Sequence, residues 1–515
     1  MRPHPVSRRT VLKMGAGAGG GLVLGFGLPG LFADAAAEET GAFAPNAFVR
    51  IARDGSITLT MPYVEMGQGT YTSISMLIAE ELEVPLSQVR LEHAPPDDKR
   101  YANPRVGFQI TGGSTSIIAA WEPMRRAGAT AREMLIAAAA KRWQADPASC
   151  HADAGKVLHT SSGRSLTYAA LVADAARMPV PKAVTLKPPE KFRLIGTPAK
   201  RLDTPTKVNG VTVYGIDVRP AGVKVATLAQ SPVFGGRLKS VDDSAAKAVK
   251  GVRQIVQLED AVAVVADHMG AARKGLAALK IEWDAGPHAQ LTIEDVARVL
   301  EQGTLNGGAV AQNVGDVASA LNNAATKVEA TYHLPFLAHA CMEPMNCTVH
   351  VRRDGCEVWV GTQVCSRAQM TAAKTTGLPL EKVVVHNQYL GGGFGRRLEY
   401  DGVTRAVQIA MHVEGPVKVI WTREEDIQHD MYRPYWFDRF SAGLDQSGKL
   451  IAWQHRFAGS SILARFFPPA FKNGLDPDSI DGAAKLAYDI PNFHVEYLHV
   501  QPPVPTAFWR SVGPS

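Results

Sequence analysis

Three glycine-rich turns carry the clearest chemical signal in this sequence. They are Gly67-Gln68-Gly69, the run Thr111-Gly112-Gly113-Ser114-Thr115-Ser116, and Gly391-Gly392-Gly393-Phe394-Gly395-Arg396-Arg397. Each follows a strand-like run, and the first two precede helical runs. Glycine permits positive φ and close backbone approach. Successive N–H groups at such a turn, helped by a helix dipole, can cradle an anion. The Ser and Thr hydroxyls of the second turn add donors. None of the three is a P-loop, because no Lys-Ser/Thr pair follows. None is a dinucleotide fingerprint with an acidic residue about 20 positions on. Plain tight turns and a large phosphate-bearing cofactor both remain open on this ground.

The other reactive residue types point to structure. Cys341, Cys347, Cys356 and Cys365 lack the paired C-x-x-C spacing that zinc and iron–sulfur sites use, so they read as small apolar residues in buried strands. The run from His339 to Pro344 offers an imidazole and a carboxylate, and reads as a satisfied buried histidine. A Ser/His/Asp hydrolase would need G-x-S-x-G; Ser114 sits in G-G-S-T-S, which departs at the last position. Gln363 follows a strand-like CEVWVGT run whose alternation puts Trp359 and Gly361 on its own side, so a core-facing amide is its plain reading.

These residues need a large scaffold. The chain has 515 residues, a length that suggests three or four domains, and 46% hydrophobic and 20% charged residues, which are globular values. Its charge is only 55 − 49 = +6, with no clustered Lys/Arg footprint for nucleic acid. Five cysteines exclude a disulfide scaffold.

Residues 1–37 read as an export signal: Arg8 and Arg9 in SRRTVLK, an apolar glycine-rich stretch, then small residues. This predicts twin-arginine export to the periplasm. A retained membrane anchor is the competing reading, and the glycines and Pro29 make that stretch a poor spanning helix. Residues 45–195 hold the first two turns, with helices to Leu82 and over 117–143, and end in a proline-rich linker at 180–191. Residues 203–290 read as a small α/β domain of short strands and helices. Residues 287–323 are weakly patterned. Residues 325–515 alternate strands (TKVEATYHL, CTVHVRR, CEVWVGTQ, KVVVHNQ, VKVIWTRE) with helices at 366–376 and 400–412. The fold class is a multidomain α/β and α+β protein.

Together the motifs are more specific than any one. GQGTYTSISMLIAEELEV, TGGSTS, VWVGTQ, GGGFGRR and AFWRSVGPS occur in that order, with Gly391 placed 391 − 363 = 28 residues after Gln363. From Phe48 to Ser515 the chain resembles the molybdenum-binding subunit of the xanthine oxidase family of molybdenum hydroxylases. It is most similar to the branch of isoquinoline 1-oxidoreductase beta subunits and periplasmic aldehyde dehydrogenases. The resemblance implies a hammerhead α/β domain at 203–290 and molybdopterin-binding domains of the aldehyde oxidase/xanthine dehydrogenase type at 45–195 and 325–515. It implies molybdopterin cytosine dinucleotide with molybdenum held through the pterin dithiolene and by no protein side chain.

By the same resemblance Gln363 faces a molybdenum oxygen, Phe394 flanks the substrate, and Arg510 contacts the cofactor through its backbone. Gly67, Gln68, Gly69, Gly112, Gly113, Ser114, Thr115, Ser116, Gly392, Gly393 and Gly395 hold the cofactor. Leu398 stands where purine-oxidising members carry a glutamate, with Glu399 next to it, which speaks against a purine. The family's general-base glutamate lies in a C-terminal motif that this chain does not reach, so the resemblance reads the chain as truncated or split. The implied reaction hydroxylates an N-heterocycle or oxidises an aldehyde with oxygen from water. Electrons pass to a separate [2Fe–2S] subunit and on to an acceptor such as a c-type cytochrome, and the complex is membrane-associated, if at all, through partners. The competing classes are a non-catalytic cofactor-binding or assembly protein, and a nucleotide-dependent dehydrogenase, which lacks its fingerprint.

Overall fold

The computed structural model describes residues 43–511 and divides the chain into two contact units. The expected signal over 1–37 lies outside the described residues. The first unit takes the described part of Met1–Tyr63, with Gly69–Ile110 and Ser114–Thr204. In it β1 (Phe43–Asn46), β2 (Val49–Ile51) and β3 (Ile57–Met61) run antiparallel. Gly55 closes the β2–β3 turn at φ 86°. Helix α1 (Thr70–Leu82) then crosses to β4 (Val89–His93), which pairs parallel to β3.

The long helix α2 (Ser116–Trp143) packs on α1. Gly128 meets the Ile78 carbonyl there, a position where a Cβ would collide. Strands β5 (Cys150–Asp153), β6 (Lys156–His159) and β7 (Ser165–Thr167) and helix α3 (Tyr168–Ala175) follow. The proline-rich linker is irregular, yet the acidic end of α1 anchors it. The buried Glu80 carboxylate accepts the N–H groups of Arg193, Leu194 and Ile195 and pairs with Lys187. Glu81 pairs with Arg125 at 2.7 Å and Arg132 at 3.0 Å. Buried carboxylates need such partners, so these acids are structural.

The second unit takes Val64–Gln68, Thr111–Gly113 and Pro205–Ser515. Its elements are β8 (Lys224–Gln230), β9 (Arg237–Asp242), β10 (Val252–Gln257), β11 (Ala261–Ala266), α4 (Met269–Ala278), β12 (Lys280–Asp284), α5 (Ile293–Asn306), β13 (Ala309–Val314), α6 (Val317–Asn322), β14 (Thr326–Leu334), β15 (Asn346–Arg352), β16 (Gly355–Val360), α7 (Cys365–Thr376), β17 (Val383–Asn387), α8 (Asp401–Ala410), β18 (Val417–Ile420), α9 (Arg423–Gln428), β19 (Trp436–Leu444), β20 (Leu450–Gly459) and β21 (Asn492–His499).

A seven-stranded sheet runs β10-β11-β8-β18-β15-β16-β17. Three strands of 203–290, β8, β10 and β11, therefore share a sheet with β15–β18, joined by the parallel β8–β18 pair, while β9 and β12 pair in a sheet of their own. Strand β11 reads AVAVVA and is buried throughout, as a strand covered on both faces must be. Helices α7 and α8 cover β15 and β16, where Val358, Val360, Val407 and Val417 form the core.

A second sheet runs β13-β21-β20-β19-β14. Residues 287–323, weakly patterned in sequence, form α5, β13 and α6 of this layer. Thr292 and Asp295 make a reciprocal capping box at the start of α5, and Val296 and Leu300 bury one helical turn apart against Phe437 and Ala458. Among the described residues no helix is long and apolar enough to cross a membrane.

Candidate functional site

Gln363 lies where parts of two of the glycine-rich turns meet within the second unit. Strand β16 ends at Val360, so the alternation read through CEVWVGT stops before Gln363, which sits in the turn leading to α7. Its backbone carbonyl accepts from the Thr111 N–H at 2.9 Å, and its Nε2 donates to the Thr111 carbonyl at 2.7 Å. Thr111 Oγ1 in turn accepts the Val64 N–H at 2.9 Å. On the other side the Gln363 N–H donates to the Arg397 carbonyl at 2.9 Å, and Thr362 Oγ1 donates there too at 3.1 Å.

One oxygen is left over. Gln363 is 3% exposed, and its Oε1 has no hydrogen-bond partner. Gly393 faces that oxygen. A Cβ on Gly393 would lie 2.7 Å from it and 2.5 Å from the Met66 sulfur. A buried polar atom without a partner costs about 1–3 kcal/mol, so this cradle is arranged for a group that the fold itself does not supply.

The third turn is held by a carboxylate from HACMEP. Glu343 Oε2 accepts the Gly391 N–H at 2.7 Å, and the Glu343 N–H returns to the Gly391 carbonyl at 3.1 Å. Glu343 Oε1 accepts from Ile216 N–H and Asn346 Nδ2, both at 2.9 Å, and Arg397 Nη2 stands 3.5 Å from Oε2. Gly392 and Gly395 take φ of 108° and 105°. A Cβ on Gly395 would overlap the Phe508 carbonyl oxygen.

Phe394 has φ 53° and is 40% exposed, held in a conformation that side chains seldom adopt. The Arg510 guanidinium lies 4.2 Å from the Phe394 ring and 4.8 Å from the Trp509 ring. Glu399 is used internally: its buried carboxylate is bidentate to Arg465 at 2.6 and 2.9 Å, and Leu398 is buried.

His339 is the satisfied buried histidine expected from sequence, with Asp430 Oδ2 2.9 Å from Nδ1 and the Phe508 carbonyl 2.8 Å from Nε2. The five cysteines are buried and in no disulfide. Cys347 and Cys356 lie in strands as expected, whereas Cys341 is in a loop and Cys365 starts α7. Burial raises the Cys341 thiol above its ordinary value, which keeps it protonated beside Gly393.

The first turn looks inward on itself. Gln68 Nε2 donates to the Val64 carbonyl at 2.9 Å, and its Oε1 accepts the Met66 N–H at 2.8 Å. Gly67 and Gly69 have φ of 110° and 89° with open space at the Cβ position, so conformation and not crowding requires glycine. Gly113 (φ 59°) and Ser114 (φ 52°) are exposed and left-handed, and Gly112 is half-buried. Thr115 Oγ1 accepts from Asn103 Nδ2 at 2.7 Å, and Ser116 opens α2. Gly69 and Ser114–Ser116 belong to the first unit, and the other candidate residues to the second. Met66, Glu343 and His339 support the site without a motif that marks them, whereas Thr111, Arg397 and Phe508 lie inside motifs that gave them no role of their own. Glu343 and His339 were visible only as residue types in HACMEP.

Two family models, each described as a molybdopterin cofactor-binding domain, match the chain: one over 301–508, the other over 12–229. The chain is 32% identical to the isoquinoline 1-oxidoreductase subunit beta of Brevundimonas diminuta, over 92% of the chain and 66% of that protein. It is 31% identical to a membrane-bound aldehyde dehydrogenase [pyrroloquinoline-quinone] of Gluconacetobacter polyoxogenes, over 96% of the chain and 66% of that protein. The chain thus spans about two thirds of the length of each. Among solved structures, the aldehyde oxidoreductase of Desulfovibrio gigas is similar with a TM-score of 0.49 and 20% identity, over 67% of this chain and 43% of that one.

Proposed function

The chain belongs to the xanthine oxidase family, as a molybdenum-binding subunit built of molybdopterin cofactor-binding domains, and on that premise we propose that it serves in an oxidoreductase that hydroxylates an N-heterocycle or oxidises an aldehyde. The unpartnered Oε1 of Gln363 at Gly393 carries this reading. An amide oxygen facing a glycine that leaves no room for a Cβ suits a cofactor with its own donors, as a pterin has. The backbone N–H groups of Gln68, Gly113 and 392–395, all in the second unit, would hold it, and its cytosine dinucleotide form suits turns rich in such donors. When bound, the group supplies two-electron redox chemistry at molybdenum, with water as the oxygen source.

The chain's own residues then position and exclude. Gln363 presents its amide from a fixed turn, because Thr111 and Arg397 hold it on both sides. Phe394 offers an exposed ring to a planar or aldehydic substrate, and Arg510 stacks on that ring. Glu399 is bound to Arg465, which supports the reading that no purine is held at 398–399. We further propose export by the twin-arginine route and a [2Fe–2S] partner subunit that takes the electrons.

The test is analysis of the purified protein, expressed with its neighbouring subunits. Molybdenum near one per chain, with a pterin and a cytosine nucleotide released by acid, is the expected result. Folded protein containing pyrroloquinoline-quinone and no molybdenum would overturn the proposal.

A further inference from the structure

Phe508 presents a backbone carbonyl that two parts of the site receive. Gly395 lies against it, with no room for a Cβ, and His339 Nε2 reaches it at 2.8 Å. The other side of His339 is bound to Asp430, whose Oδ2 meets both Nδ1, at 2.9 Å, and the His339 N–H. Asp430 Oδ1 accepts the Met431 N–H at 2.8 Å and lies 2.6 Å from Arg396 Nε. The remaining Arg396 nitrogens grip Asp401, both at 2.7 Å. Trp509 Nε1 also points to the Ala338 carbonyl, at 3.5 Å. A chain of contacts, Phe508 carbonyl to His339 to Asp430 to Arg396, thus joins the AFWR segment to the residue that follows GGGFG.

We propose that His339 is a positioning residue that fixes the Phe508 carbonyl against Gly395 and so seats Trp509 and Arg510 beside Phe394. A backbone carbonyl can only accept, so Nε2 of His339 is the donor to Phe508. Both contacts are buried, with His339 3% and Asp430 1% exposed, which makes a lost donor costly there. The inference deepens the proposed function, since it rests on Phe394 and Arg510 as site residues. Its structural part stands on contacts alone. The segment has a second anchor, where the Ala507 N–H donates to the Tyr432 carbonyl at 2.9 Å, so removing the histidine contact frees the residues after 507 first.

Two amide substitutions divide the two contacts. His339→Gln places a donor near the Nε2 position and retains reach to Phe508. His339→Asn places one near Nδ1 and retains reach to Asp430. Hydrogen exchange of peptides covering 504–511 is read by mass spectrometry, with peptides from α5 as the internal reference. The expected result is near wild-type exchange in His339→Gln and at least about tenfold faster exchange at 508–511 in His339→Asn, with α5 unchanged in both. Asp430→Asn, which leaves the Nε2 contact in place, should also keep 508–511 protected. Equal exchange in the Gln and Asn variants, or slower exchange in the Asn variant, would overturn the proposal. Molybdenum content is measured on the same samples. Its absence from the wild type would count against the cofactor reading, while the exchange order still decides the role of His339.

Discussion

Replacing Gly395 by alanine tests the geometry at its tightest point. Two separate costs apply. The backbone there has φ 105°, where an L-residue with a Cβ is strained by roughly 1–2 kcal/mol. The new methyl would also overlap the Phe508 carbonyl oxygen, a backbone atom that cannot rotate away. Relieving that overlap by shifting packed chain costs about 1–3 kcal/mol. Moving Phe508 further weakens its bond from His339, worth about 1 kcal/mol.

The expected total is about 3–6 kcal/mol. Gly377→Ala is the control, because Gly377 has φ 74° and nothing within 4 Å of its Cβ position, so it carries the backbone term alone. Urea unfolding followed by circular dichroism reads the difference. At a slope of about 3 kcal/mol per M, a steric excess of 2–4 kcal/mol lowers the midpoint by about 1 M more in Gly395→Ala than in Gly377→Ala. Equal midpoints in the two variants would refute the claim that the GGGFG turn is pressed against Phe508.

Three further outcomes follow from particular residues. Gln363→Met removes the buried Oε1 and the donor to Thr111 together, so stability should fall by only about 1–3 kcal/mol while turnover of the assembled enzyme drops at least tenfold with molybdenum retained; normal turnover with a lowered melting temperature would leave Gln363 a purely structural role. Burial by itself would lower the His429 pKa, but the Glu425 carboxylate and the Ser231 carbonyl outweigh it and hold the value above 6.5. Its folded pKa is thus raised, so its contribution is complete below about pH 6.5 and is lost as pH climbs through the folded value; His429→Gln should flatten that part of the stability–pH curve, and an unchanged slope there would contradict the assignment. Replacing Arg8 and Arg9 by lysine, motivated by SRRTVLK ahead of an apolar run, should strand the protein in the cytoplasm, as cell fractionation would reveal, and unimpaired export would exclude the twin-arginine route.

What the sequence determined by itself was local. Gly67, Gly69, Gly113, Gly392 and Gly395 all take positive φ, which is a property of single residues in turns and can be read from their type. Period-two and helical runs placed β15, β17 and α2 close to where they form, because local apolar patterning fixes which face of an element is buried. The Thr292–Asp295 capping box is local too, yet it went unread in residues 287–323, where the apolar pattern around it is thin. Tertiary structure decided the rest. Gln363 meets Thr111 across 252 residues, Glu343 closes on Gly391, and β8 pairs with β18 to merge two stretches into one sheet. No local pattern encodes such pairings. A strand's alternation says that it has an apolar face but not which strand will cover or extend it, and a lone glutamine, glutamate or histidine becomes part of a site only when packing brings a distant carbonyl, amide or cation to it.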